Sequence, residues 1–319
     1  MYKLRYLLTT LFILFISTVK ATTWDEPWHD KVVKEAESFV LAKVVSSDKD
    51  KGVTISILKQ LGGKELTGTI LISKFYALSL CSYSTGEGPE FHFEHIDSCY
   101  FFIKKNEKDE YCIATPTAGY AAINNGIVSA TYRHSYHQAR VTLPIYQQTM
   151  TAIFNNYHGL PYDKSFINDF INKYLALKPA GFDKEELPIF FNQHVALECI
   201  YHLNLTGFYD KIIPFLNEEV NFHSQVSAAR ALAASNTPQS RTLLLNILRN
   251  KKINDFVKVI SIWTLQSYEA KDLKPQFQQL EQTASTEENG FGGNIMDPRI
   301  CTHFPTVKQA LDELIAKAK

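Results

Sequence analysis

Val195-Ala-Leu-Glu-Cys-Ile-Tyr-His-Leu203, Val226-Ser-Ala-Ala-Arg-Ala-Leu-Ala-Ala234 and Val257-Lys-Val-Ile-Ser-Ile-Trp-Thr-Leu265 start at positions 195, 226 and 257, a constant step of 31 residues. A second series, Asp210 to Leu216, Arg241 to Leu248 and Asp272 to Leu280, keeps the same step. Fixed periods of about 20–50 residues mark stacked repeats, because each unit buries its apolar face only against a neighbour. In the middle unit Ala228, Ala229, Leu232 and Ala233 form a small-residue seam for close helix approach, and Pro238 can open the partner helix without loss of a hydrogen bond. Leu244, Ile247 and Leu248 are expected to face back onto the first helix.

Outward from the repeats, Ile145–Tyr157 and Asp163–Leu177 read as helices, the second with Phe166, Phe170, Ile171 and Tyr174 at helical spacing. On the other side the period breaks at a polar, Gly-rich insertion from Ser285 to Thr302. Phe304–Lys319 then resumes as a helix with one polar face, as a capping helix should. Insertions between repeats tend to lie on the binding face. Phe291, Asn294 and Asp297 are therefore candidate binding-surface residues. The string Val226-x-x-Ala-Ala-Arg-Ala-Leu232, Thr237-Pro-Gln, Leu243-Leu-Leu-Asn-Ile-Leu-Arg249 resembles the short HEAT-like repeats of the phycobilisome-lyase type, which are α-solenoid units. That resemblance implies a scaffold and carries no lyase chemistry.

The first half reads as short strands. Phe39–Val45 is a β-rich run, Val53–Leu58 alternates, and Leu66–Ile72 follows the Gly62-Gly63 turn. Cys99–Ile103 and Tyr111–Thr115 flank a charged loop as a hairpin, and Asn124-Asn-Gly126 predicts a tight hairpin between Tyr120–Ile123 and Ile127–Ala130. Gln138–Leu143 adds a last strand. This pattern suggests a small barrel or sandwich. The order of Phe39-Val-Leu-Ala-Lys-Val, Gly-Gly-Lys64, Cys81, a Gly-rich loop, Tyr100-Phe-Phe-Ile103 and Cys112-Ile-Ala-Thr115 resembles a netrin-like module, the OB-type barrel of the tissue inhibitors of metalloproteinases and their bacterial relatives. The resemblance implies a Cys81–Cys112 bridge with Cys99 as an extra. Those inhibitors chelate metal through a mature N-terminal Cys; here the expected mature start is Thr22-Thr23-Trp24, so that route to inhibition is not implied.

Lys3 and Arg5, an apolar run from Leu7 to Ile16 and Val19-Lys20-Ala21 read as a signal peptide cleaved after Ala21, followed by no lipid-attachment Cys. The expected product is periplasmic or secreted, with domains at 22–143 and 144–319 and no membrane span. Of 33 basic residues three leave with the signal, so 30 remain against 33 acidic ones, which excludes a nucleic-acid or anionic-membrane footprint. Five cysteines include one on an apolar helix face, Cys199, expected as a buried free thiol. One bridge is expected among Cys81, Cys99 and Cys112.

No nucleophile elbow, dinucleotide fingerprint or phosphate-binding loop is present. His92-Phe-Glu-His95 and His134-Ser-Tyr-His137 have His-x-x-His spacing, but in strand or loop territory, where positions i and i+3 point apart. His92, Glu94, His134 and His137 are the metal candidates. Trp24 and Trp28 are either a ligand-binding patch or the packing of the barrel's open end. No cofactor is expected. The sequence therefore reads as an OB-like β-barrel followed by an α-solenoid, in an exported, non-catalytic protein-binding scaffold. A secreted metal-dependent hydrolase or metal-binding protein is the alternative, and a protease inhibitor the second. Specificity is expected at the Ser285–Thr302 insertion and where the two halves meet.

Overall fold

The computed structural model describes residues 24–48, 50–73, 98–115, 117–218, 221–288, 300–301 and 304–317. Residues 1–21, read above as a signal peptide, and Cys81, His92, Glu94, Phe291, Asn294 and Asp297 lie outside the described residues, and Trp24 is described by its backbone.

The amino-terminal half is an antiparallel sheet. Its strands are β2 (Ser38–Asp48), β3 (Gly52–Gly63), β4 (Thr69–Ser73), β5 (Ser98–Lys105), β6 (Tyr111–Cys112), β7 (Tyr120–Asn124), β8 (Ile127–Thr131) and β9 (Gln138–Thr142). The order is β4-β3-β2-β5-β7-β8-β9, with β6 on β5. The ladder does not close into a barrel among the described residues, since no pairing joins β4 to β9. β6 nevertheless approaches β4, so this end of the sheet curls. Three register shifts between β2 and β3 supply bulges that bend the ladder. Asn125 and Gly126 both take positive φ (52° and 76°), as the two-residue turn between β7 and β8 demands. A short parallel pairing joins β1 (Trp24–Asp25) to β10 (Ile300–Cys301).

Both faces of the sheet are buried. Val40, Ala42, Val53, Ile55, Cys99, Phe101 and Ile103 form a small core on one side. Cys99 and Cys112 hold free thiols, and Cys81, the other end of the bridge implied by the resemblance, lies outside the described residues; burial pushes the Cys99 thiol up to about 12. Cys199 is a buried free thiol.

The carboxyl-terminal half is helical: α2 (Leu143–Tyr157), α3 (Lys164–Leu175), α4 (Leu187–Leu203), α5 (Tyr209–Leu216), α6 (Phe222–Ala231), α7 (Pro238–Arg249), α8 (Asp255–Ser267), α9 (Lys274–Glu281) and α10 (Val307–Lys317), with α1 (His29–Glu35) in the first half. Pro238 does open α7, and Thr237 caps it by accepting from Ser240 N–H (3.1 Å). α4, α6, α8 and α10 lie side by side, and α3, α5, α7 and α9 pack on α4, α6, α8 and α10 respectively. α7 packs chiefly on the following helix α8, not on α6, so the packed pairs are shifted by one element from those suggested by the sequence step.

One apolar core runs across the expected boundary at residue 143. It joins Phe39, Tyr100, Phe102 and Val141 of the sheet to Ile153 and Phe154 of α2 and on to α10. Gly62 is placed where α2 meets β3: a Cβ there would stand 2.5 Å from the Phe154 ring. The face of the α4–α6–α8 row that a free-standing helical stack would leave open is covered by the chain's own β8–β9 connection and Trp28.

Candidate functional site

The site lies at the junction of sheet and helices. The β8–β9 connection, Tyr132–His137, leaves the sheet, turns with His137 N–H on the His134 carbonyl (3.0 Å), and anchors α1 through His29 N–H on the Arg133 carbonyl (2.8 Å). α4 contributes His194, Glu198 and His202, spaced by four and so on one helical stripe. α6 contributes His223, Ser227 and Arg230. Arg133, His134, His194, Glu198, His202, Ser227 and Arg230 are all buried.

Glu198 is the hub. Its Oε2 accepts from Arg230 Nε (3.1 Å) and its Oε1 from Ser227 Oγ (3.0 Å). Ser227 Oγ also accepts from Arg133 Nη1 (3.0 Å) and contacts His194 Nδ1 (2.9 Å). The serine proton is committed to the carboxylate, so Nδ1 of His194 is the protonated nitrogen and Nε2 carries a lone pair without a partner. His202 Nε2 donates to the Tyr132 carbonyl (2.6 Å), and its Nδ1 accepts from the Tyr157 hydroxyl (2.8 Å). Arg230 stacks on Tyr201 (3.9 Å) and Trp28 (5.0 Å).

Burial dominates the electrostatics. It pushes His29 and His223 down to about 3 and His134 and His202 to about 4, and takes His137 and His194 well below the usual imidazole value; nearby arginines and histidines push several of them the same way. Burial is the largest influence on Arg230 and opposes its charge, but Glu198, Tyr201 and Asp30 together outweigh it and raise the guanidinium above its ordinary value. Arg133, with no carboxylate bonded to it, is lowered by burial.

Of the metal candidates, His134 and His137 are both here, yet their rings pack against separate neighbours. His134 Nε2 donates to the Glu26 carbonyl (3.1 Å) and Nδ1 accepts from Tyr136 N–H (3.4 Å), leaving no lone pair for a metal. His137 meets His194 (4.4 Å between ring centres) and His223 (4.7 Å). Among the described residues no group of three or more His, Cys, Asp or Glu is arranged to hold a metal ion. Trp28 packs on Trp263 of α8 (5.4 Å) and on His134 (5.3 Å), so it stitches the halves together instead of forming an open patch.

Ser227, His194 and Glu198 contain the residue types of a hydrolytic triad in the wrong order. A triad serine gives its proton to histidine; here Ser227 gives it to Glu198 and is fully buried. The sequence reading missed His194, Glu198, His202, Arg133 and Arg230. The visible signal was a stripe of polar residues every fourth position in an otherwise apolar helix, with an arginine in the small-residue seam opposite.

A separate groove of about 430 Å3 opens at the foot of the insertion, between α7, α9 and α10. Leu248, Leu280, Val307 and Leu311 give it an apolar floor, and Arg249 and Lys251 a basic rim. No family model, no curated protein and no solved structure matches this chain.

Proposed function

We propose that this is an exported, non-catalytic protein-binding scaffold: an OB-type barrel related to the netrin-like modules, fused to a short HEAT-like α-solenoid. The groove between α7, α9 and α10 carries the reading. It is the large apolar-floored opening at the foot of the inserted segment, it has a basic rim, and it suits an acidic segment of a protein partner with apolar anchors. The junction network, by contrast, is spent on holding the two halves together. Export rests on the charged, apolar and small-residue order of the first 21 residues. No helix among the described residues is long and apolar enough to cross a membrane.

The test immobilises the chain from Thr22 onward and the double variant Arg249→Glu, Leu280→Asp, and passes native envelope extract over both. The reading expects a stoichiometric partner on the first and none on the second. Equal recovery on both, or substrate turnover with no specific partner, overturns it.

A further inference from the structure

The row of helices has one edge made of helix starts. The His137 ring meets Phe190 in the first turn of α4 (5.8 Å) and His223 at the start of α6 (4.7 Å). Tyr136 meets Phe256 in the first turn of α8 (5.5 Å), and Phe256 meets Phe304 just ahead of α10 (4.2 Å). The amino-terminal ends of α4, α6, α8 and α10 therefore lie along one side. The basic groove opens on that side, since Lys258 and Val307 line it from the first turns of α8 and α10. At the far end of the same edge, the α3–α4 connection holds Phe182 out to solvent (54% exposed), beside Asp183, Glu185 and Glu186, with Lys184 the one opposing charge. The loop is held in shape. Ala180 N–H donates to Gln193 Oε1 (2.9 Å), Gly181 N–H to Glu186 Oε2 (2.7 Å) and Leu187 N–H to the Asp183 carbonyl (2.8 Å). Its apolar ring and its acids are pre-ordered, so docking them costs little entropy.

We propose that the groove takes the Phe182–Glu186 loop of a second copy of this chain, an inference that rests on the groove being a seat for protein. The charges match. Arg249 and Lys251 are exposed and meet no carboxylate among the described residues, whereas Lys258 and Lys308 are already answered by Asp255 (2.9 Å) and Glu281. Glu287 and Glu288, the acids next along the chain, do not line the groove. Leu248, Leu280 and Leu311 give the phenyl ring an apolar floor. Loop and groove stand three helix spacings apart, roughly 24–30 Å at the usual distance between packed helices, so a chain does not fill its own groove. A two-fold rotation that lays one edge on the other reverses the row. Each loop then falls on the other copy's groove, and the pair closes with both seats filled.

The test is sedimentation equilibrium of the chain from Thr22 onward, from about 1 μM to about 1 mM, the range in which weak association shows. The proposal expects the mass to double as concentration rises. Asp183→Lys with Glu185→Lys makes the loop basic, and Arg249→Glu with Lys251→Glu makes the groove acidic; all four side chains are exposed. Each variant alone should stay monomeric, because its loop and groove then carry like charge. An equimolar mixture of the two should form a mixed dimer, because each loop meets a groove of opposite charge. A monomeric mass throughout for the unsubstituted protein overturns the proposal, as does a dimer that survives either reversal. If either variant does not fold, carbodiimide cross-linking of the unsubstituted protein replaces it: an amide between Lys251 of one copy and Asp183 or Glu185 of another supports the contact, and cross-links between copies at other positions only refute it. Capture of an envelope protein by a chain that stays monomeric, lost in Arg249→Glu with Leu280→Asp, removes this inference and leaves the scaffold reading standing.

Discussion

Acidification should open this protein at its junction. Six histidines, His29, His134, His137, His194, His202 and His223, are held neutral there by burial: His29 and His223 fall to about 3, His134 and His202 to about 4, and His137 and His194 lie well below the ordinary 6.5. A lowered folded-state value means the unfolded chain binds more protons below pH 6.5, so stability is complete above that pH and falls as pH drops toward 4 and then 3. At pH 5 each such histidine removes about 2 kcal/mol relative to pH 7.5. Two of the six acting alone remove about 4 kcal/mol, a large part of the roughly 5–15 kcal/mol that holds a typical domain. The groups facing them do not reverse the sign: Arg133 and Arg230 oppose further protons, and although Asp30 favours them at His29 and Glu198 and Asp30 at His202, burial outweighs both. Urea unfolding followed by tryptophan fluorescence at pH 7.5, 6.0 and 5.0 reads this directly, since Trp28 and Trp263 sit at the junction. The midpoint should fall steeply below pH 6.5. A midpoint unchanged between pH 7.5 and 5.0 would refute the claim that these imidazoles are buried and neutral.

Other substitutions test separate parts of the structure. Glu198→Ala strands Arg230 and Ser227 and should cost about 3–5 kcal/mol in urea titrations, as loss of one partner of a buried pair does. Trp28→Ala removes the plate between Arg230, His134 and Trp263 and should cost about 3–5 kcal/mol, with loss of the near-ultraviolet signal of Trp263. Gly126→Ala meets no atom within 4 Å but forces a side chain to φ 76°, so it should cost about 1–2 kcal/mol with the fold intact by circular dichroism.

Local chemistry was legible where one short string fixes one conformation. Asn124-Asn-Gly126 specified a turn with two positive φ angles, and Thr237-Pro238 specified the start of α7. The 31-residue step located the side-by-side helices because α4, α6 and α8 each bury nearly their whole circumference, which keeps their apolar runs in phase. It misjudged which layers pair, because α7 sits in the groove toward α8 and sequence spacing does not say on which side an outer helix falls. The junction was illegible for a different reason. His134 and His137 were read as loop or strand positions that point apart, but spacing could not say toward what: the fold spends His134 on the Glu26 carbonyl and faces His137 toward helices more than fifty positions away in sequence. Glu198 and Arg230 stand 32 positions apart on two helices, and only the packing of α4 on α6 makes them partners.

The claim on which the rest depends is that sheet and helices form one cooperative body through the buried Glu198–Arg230–Ser227–Arg133 network. Native-state hydrogen exchange on the intact chain measures it. The account predicts that the paired amides of β8 and β9 and those of α4 and α6 open with one common free energy, and that Glu198→Ala lowers all of them by the same amount. Separate opening free energies for the strands and the helices, with Glu198→Ala lowering only the helices, would contradict it.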